Sequence, residues 1–131
     1  MTTTINASTS SGLVNTADTS GIIKLQSNGV TTNALAWVNF NGTTSPGTIR
    51  SQYNVSSVTK NNTGDYTVNF TTALSDANYS AQVTAGNGVN DIFCSAPYTT
   101  AATVSAVRLL TLLGNRTPTD SSTVSVTVFG N

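Results

Sequence analysis

Gly64-Asp65-Tyr66-Thr67-Val68-Asn69-Phe70-Thr71-Thr72-Ala73-Leu74-Ser75-Asp76-Ala77-Asn78-Tyr79-Ser80-Ala81-Gln82-Val83-Thr84-Ala85 holds two alternating runs joined by a loop. Successive side chains of a strand point to opposite faces, so Tyr66, Val68 and Phe70 share one face while Thr67 and Asn69 share the other. Tyr79, Ala81 and Val83 repeat the pattern against Ser80, Gln82 and Thr84. Asn61-Asn62-Thr63-Gly64 stands before the first run and Leu74-Ser75-Asp76-Ala77 between the two, which predicts an antiparallel pair with one buried face. No helical period competes, and the class of the chain follows: all-β.

Working outward, Leu35 to Gly42 gives a strand with Ala36, Val38 and Phe40 on one face and Leu35 and Trp37 on the other, before Asn41-Gly42 turns the chain. A strand apolar on both faces at its start is expected to be covered on the second by a loop or by a neighbouring subunit. Pro46-Gly47 marks a loop, and Ile49-Arg50 and Tyr53 to Thr59 give a further extended run. Beyond Ala85, Gly86 to Asp91 is the most permissive loop; Ile92-Phe93-Cys94 resumes a strand and Ala96 to Thr100 forms another loop. Thr103 to Leu113 predicts the longest strand, its β-branched residues disfavouring a helix, with deep burial on both faces of its second half. Gly114 to Ser121 is a third loop, and Val124, Val126 and Val128 line a closing strand. About seven strands at regular spacing predict an antiparallel β-sandwich over residues 34–131. Residues 1–33 are too polar to fold alone and read as a shaft-like connector, with turn chemistry on both sides of a short strand around Ile22 to Gln26.

At 131 residues the chain is one domain's worth, able to bury about two-thirds of its unfolded surface. Charged residues are only 8%, and the formal net charge is zero, so no field concentrates nucleic acid or an anionic membrane. The surface must instead be coated with the hydroxyls and amides of 25 Thr, 16 Ser and 15 Asn. Low charge also suits self-association, because oligomer interfaces are depleted in charge at their cores. Seven Asn-x-Ser/Thr sequons accompany this composition and are explained by it. Met1 to Asn6 has neither a basic nor an apolar leader region, and the Val107 to Leu113 cluster is broken by Arg108 and Thr111, so neither a signal peptide nor a membrane span is expected.

From Trp37 onward the chain resembles the distal head domain at the C-terminus of tail fibre and related virion proteins of tailed bacteriophages, especially those of marine bacteria. The residues that carry the resemblance are Ala36 to Gly42, Ile49-Arg50, Tyr53 to Val58, Gly64 to Phe70, Asp76 to Tyr79 and Val124 to Gly130, in that order and spacing. At Leu74-Ser75 the chain departs from its relatives, which usually place a proline before the Asp. Ala17 to Gly21 and Leu25 to Gly29 are similar to the shaft segments that precede such heads. The resemblance implies a homotrimer at the tip of a virion tail fibre that adsorbs to a host-surface glycan or outer-membrane protein. The alternative is a purely structural trimer that caps or registers the fibre.

The chemistry of catalysis is missing from the sequence. Without histidine there is no ordinary catalytic triad and no imidazole ligand for a metal, and without Glu a glycosidase pair would need two of Asp18, Asp65, Asp76, Asp91 and Asp120. Each of these sits beside a turn, where an Asp caps the turn or faces solvent. Neither an enzyme, nor a cofactor, nor a metal site is expected. Cys94, the one cysteine, reads as a small buried residue. Trp37 reads as core or interface, Arg50 and Arg108 as partners of an Asp or a backbone carbonyl, and Tyr66 and Tyr79 as core. The receptor-binding candidates are the loop residues Asn87, Asn90, Asp91, Tyr98, Arg116 and Asp120, which together offer the amide, carboxylate, guanidinium and aromatic groups a glycan site requires.

Overall fold

The computed structural model describes residues 26–27, 30–31, 33–88, 92–95 and 102–130. Among these residues there is no helix. A short hairpin pairs β1 (Gln26–Ser27) with β2 (Val30–Thr31). Eight longer strands follow: β3 (Ala36–Asn41), β4 (Thr48–Tyr53), β5 (Val55–Asn62), β6 (Asp65–Phe70), β7 (Ser80–Gly86), β8 (Ile92–Ser95), β9 (Ala106–Leu113) and β10 (Thr123–Phe129). They form two antiparallel four-stranded sheets, β4-β3-β10-β7 and β5-β6-β9-β8. The strand beyond the expected seven or so comes from Asn54, whose φ of 52° breaks the extended run 49–59 and sends β4 to one sheet and β5 to the other. Asn tolerates this left-handed conformation better than most residues.

The core lies between the sheets. Ala36, Val38 and Phe40 of β3 and Val124, Val126 and Val128 of β10 meet Tyr66 and Val68 of β6 and Leu109 of β9, each at most 2% exposed. These are the inward sets that alternation predicts, and burying each Val, Leu or Phe side chain contributes about 1.5–3 kcal/mol. Phe40 and Tyr66 meet edge to face across the sheets, ring centroids 5.3 Å apart.

Two expectations are corrected by the topology. The runs containing Tyr66 and Tyr79 do not pair with each other: β6 lies between β5 and β9, while β7 pairs with β10 in the opposite sheet. Residues 71–79 carry the chain across the sandwich, so Phe70 and Tyr79 meet through their rings, centroids 5.8 Å apart, and not through a ladder. The strand expected from Thr103 starts at Ala106, because Thr103 folds a turn in which its Oγ1 accepts hydrogen bonds from the Ser105 and Ala106 amides. Its second half is buried on one face only, through Leu109 and Thr111, and Leu110 and Leu112 are half-buried.

Strand direction separates two ends. The chain enters β3 at Leu35, whose amide donates to the Val128 carbonyl, and Asn54 and residues 71–79 lie at that same end, where Asn54 Nδ2 donates to the carbonyls of Leu35 and Thr72. The turns at residues 42–47 and 63–64, the exit of β7 at Asn87 and the connection 114–122 gather at the opposite, distal end. The Ile22 to Gln26 strand expected in the connector falls, but for Gln26, outside the described residues.

Candidate functional site at the distal end

The connection 114–122 ties the distal end together. Ser121 accepts from the Gly42 amide and Thr119 donates to the Thr111 carbonyl, while the Ser121 hydroxyl donates to the Gly86 carbonyl at 2.6 Å. Asp120 stands at the centre of this end: Oδ1 accepts from the Gly64 amide and the Tyr66 phenol, each at 2.9 Å, and Oδ2 pairs with Lys60 Nζ at 2.6 Å. The Tyr66 phenol also lies 3.0 Å from the Gly42 carbonyl. Burial would raise the Asp120 pKa, but the hydrogen bonds from Lys60, Gly64 and Tyr66 outweigh it and hold the carboxyl below its ordinary range. Burial, with the Asp120 carboxylate beside it, pushes the Tyr66 phenol up to about 12.

A second ion pair braces the outer face of the β5-β6-β9-β8 sheet. Arg108 Nε donates to Asp65 Oδ1 at 2.8 Å and its Nη2 to Oδ2, and this two-pronged contact, opposed by burial, leaves the Asp65 carboxyl below its ordinary range. Asp65 and Asp120 thus differ from the turn-capping or solvated aspartates expected of the sequence, while Asp76 does cap a turn by accepting from the Asn78 amide. Arg50 donates to Asn39 Oδ1 and, at 2.6 Å, to the Ser122 carbonyl, in the manner expected of a strand arginine.

Beside this network an open groove of about 440 Å³ runs between the β7 exit and the start of β10, bounded by Thr84, Gly86, Asn87, Gly88, Ser122 and Thr123. Its floor is Gly86. A Cβ built there would meet no atom of the described residues within 4 Å and the backbone there does not adopt a positive φ, so packing among these residues does not require glycine at this position. Gly64 is the contrast: φ is +63°, and an added Cβ would lie 2.5 Å from the Thr111 carbonyl oxygen.

Of the candidates from the sequence, Asn87 lines the groove and Asp120 lies inside the hydrogen-bonded distal network. Arg116 sits exposed in the same connection with φ of 66°, its amide donating to Leu113. Its guanidinium meets no partner among the described residues, whereas those of Arg50 and Arg108 are engaged. Asn90, Asp91 and Tyr98 lie outside the described residues; the strand ends that flank Asn90 and Asp91 are distal, whereas β8 runs away from that end towards Tyr98.

No family model, curated protein or solved structure matches the chain.

The sequence reading passed over Thr84, Gly86, Ser122 and Thr123 of the groove. A glycine beside a loop reads as a turn residue; Gly86 instead ends β7 without a positive φ, with open space above it among the described residues. Tyr53 and Phe129 were also missed as surface groups: both are exposed with Trp37, on the outer face of the β4-β3-β10-β7 sheet. Cys94 is half-buried in a cleft of about 260 Å³ between β7 and β9, where burial raises its thiol pKa. No group of three or more metal-ligating side chains occurs among the described residues.

Proposed function

We propose that the chain is a receptor-binding head, mounted through Leu35 on the tip of a virion tail fibre as a homotrimer, and that its distal end engages a host-surface glycan. The observation that carries this reading is the division of the molecule into two ends. The chain enters the sandwich at Leu35, whose amide bonds to the Val128 carbonyl two residues before Gly130, and four connections gather at the far end. A fibre attached at the first end presents the second to the host. There the Gly86 groove offers hydroxyl and amide groups, and Arg116 offers a guanidinium that meets no partner among the described residues. Such groups suit the hydroxyls and occasional carboxylates of a surface polysaccharide. Asn90 and Asp91, which follow Asn87 in sequence between β7 and β8, are kept in the proposed contact set as candidates from the sequence, as is Tyr98; Asp120 supports the site from beneath. Three weak sites on one axis give avidity without a tight single contact. The mechanism is adsorption without covalent chemistry.

The test is retention of the purified chain on bacterial cells and on their extracted surface polysaccharide, compared with Arg116→Ala and Gly86→Gln. We expect each variant to fold and assemble as the parent does and to lose about tenfold or more in apparent affinity, the scale of a contact worth about 1.4 kcal/mol. Binding unchanged in both variants, or carried only by outer-membrane protein, would remove the glycan assignment. Absence of binding to any host surface by an intact trimer would favour the purely structural cap.

A further inference from the structure

Among the described residues, three of the five exposed large hydrophobic side chains stand together on the outer face of the β4-β3-β10-β7 sheet: Trp37 (37% exposed), Tyr53 (43%) and Phe129 (39%). Trp37 is the direct cross-strand partner of Tyr53 on one side and of Thr127 on the other, and Phe129 lies one outward position beyond Thr127. Registered and diagonal neighbours on one face lie within about 7–8 Å of each other, so the three rings form one patch. Gln82 and Ser80 extend the same rows on β7, and none of these outward positions carries a charge. The patch occupies the end through which the chain enters: Leu35 immediately precedes Ala36-Trp37, and its amide bonds to the carbonyl of Val128, next to Phe129. It lies at the end of the sheet away from the Gly86 groove.

We infer that a second copy of this chain packs on the Tyr53–Trp37–Phe129 patch. This rests on the trimeric reading above and adds to it the surface that closes the assembly. Chains arriving side by side from a common shaft reach their sandwiches at Leu35, so the surface beside Leu35 is the first that neighbouring copies bring together. That surface has the composition of an interface core, aromatic and uncharged, and the hydroxyl-rich and amide-rich positions nearer the groove on the same sheet do not. The distal groove remains free in such a packing.

Trp37 is the one tryptophan of the chain, so its fluorescence reports on this patch directly. The experiment measures light-scattering mass and acrylamide quenching of Trp37 together over a dilution series of the full chain. It is repeated for Tyr53→Lys, Phe129→Lys and, as a control on the other sheet, Phe93→Lys, with circular dichroism verifying the fold. The expected result is a trimer whose Trp37 is protected from acrylamide and becomes accessible as the mass falls on dilution. Tyr53→Lys and Phe129→Lys should dissociate at concentrations about tenfold or more above the parent, and Phe93→Lys should not, since aromatic groups at an interface centre dominate its affinity. A trimer whose Trp37 is quenched as freely as in the dissociated chain overturns the inference and leaves the trimeric head standing on another surface. A parent chain that is monomeric throughout removes the trimeric reading and the inference with it.

Discussion

Two glycines of the distal end carry opposite meanings. Gly64 is fixed by a φ of +63° and by the Thr111 carbonyl, so Gly64→Ala combines left-handed strain of about 1–2 kcal/mol with a backbone clash. Chemical denaturation should register a loss of roughly 2–5 kcal/mol for it, the overpacking adding about 1–3 kcal/mol to the strain. Gly86→Ala meets only open space among the described residues and should leave stability unchanged or raise it by about 0.4–1 kcal/mol, through a stiffer unfolded chain. Equal losses at the two positions would deny that Gly86 is dispensable to the fold. Asp120 is the polar centre, and Asp120→Asn removes the charge that Lys60, Gly64 and Tyr66 converge on. A loss of about 2 kcal/mol is expected by the same measurement, because hydrogen bonds to charged groups contribute about 1.5–3 kcal/mol each and one acceptor atom is kept. The identity of Asp120 was legible in the sequence, but its position inside a network was not: its partners lie 54 to 60 residues away, and no local pattern reports a contact at that separation.

At the scale of elements, alternation was a reliable guide to faces and a poor guide to neighbours. Ala36, Val38 and Phe40, Tyr66, Val68 and Phe70, and Val124, Val126 and Val128 all point inward as their spacing predicts. Which strand sits beside which was not readable, because a period of two fixes the side a residue faces and leaves its cross-strand partner open. The Tyr66 and Tyr79 runs show this best: each was read as a strand with the right inner face, yet the two lie in different sheets. The sheet order also sets local stability. β10 and β3 are internal in one sheet and β6 and β9 in the other, whereas β4, β7, β5 and β8 are edges. Hydrogen exchange of the chain should therefore protect the amides of β10 and β6 most and those of β8 least; slow exchange along β8 would contradict this order. Val126, 2% exposed on β10, samples the same centre, and Val126→Ala should cost about 2 kcal/mol from two lost methyl groups and the cavity they leave.

For the whole molecule, the titrating groups predict a broad plateau of stability. The carboxyls of Asp65 and Asp120 lie below their ordinary range in the fold, so their contribution is full above the unfolded value near pH ~4 and is lost as the pH falls further. The Tyr66 phenol is raised to about 12, so its contribution is full below its ordinary value near pH ~10 and is lost as the pH rises through the folded value. There is no histidine to titrate between. Melting temperature should hold level from pH ~5 to ~9 and fall on either side, and a step near pH ~6.5, where histidine would titrate, would contradict this assignment. The all-β class and the two-layer architecture were within reach of the sequence because composition and alternation act everywhere along the chain. The groove and the aromatic patch were not, since each assembles residues from separate strands that only the register brings together. In the proposed function, one end of the sandwich joins identical chains on a fibre and the other meets the host. Its most direct test is the solution mass of the purified chain by light scattering over a dilution series. A stable mass three times the 13.5 kDa of one chain is expected, and a monomer at every concentration would contradict the proposed assembly.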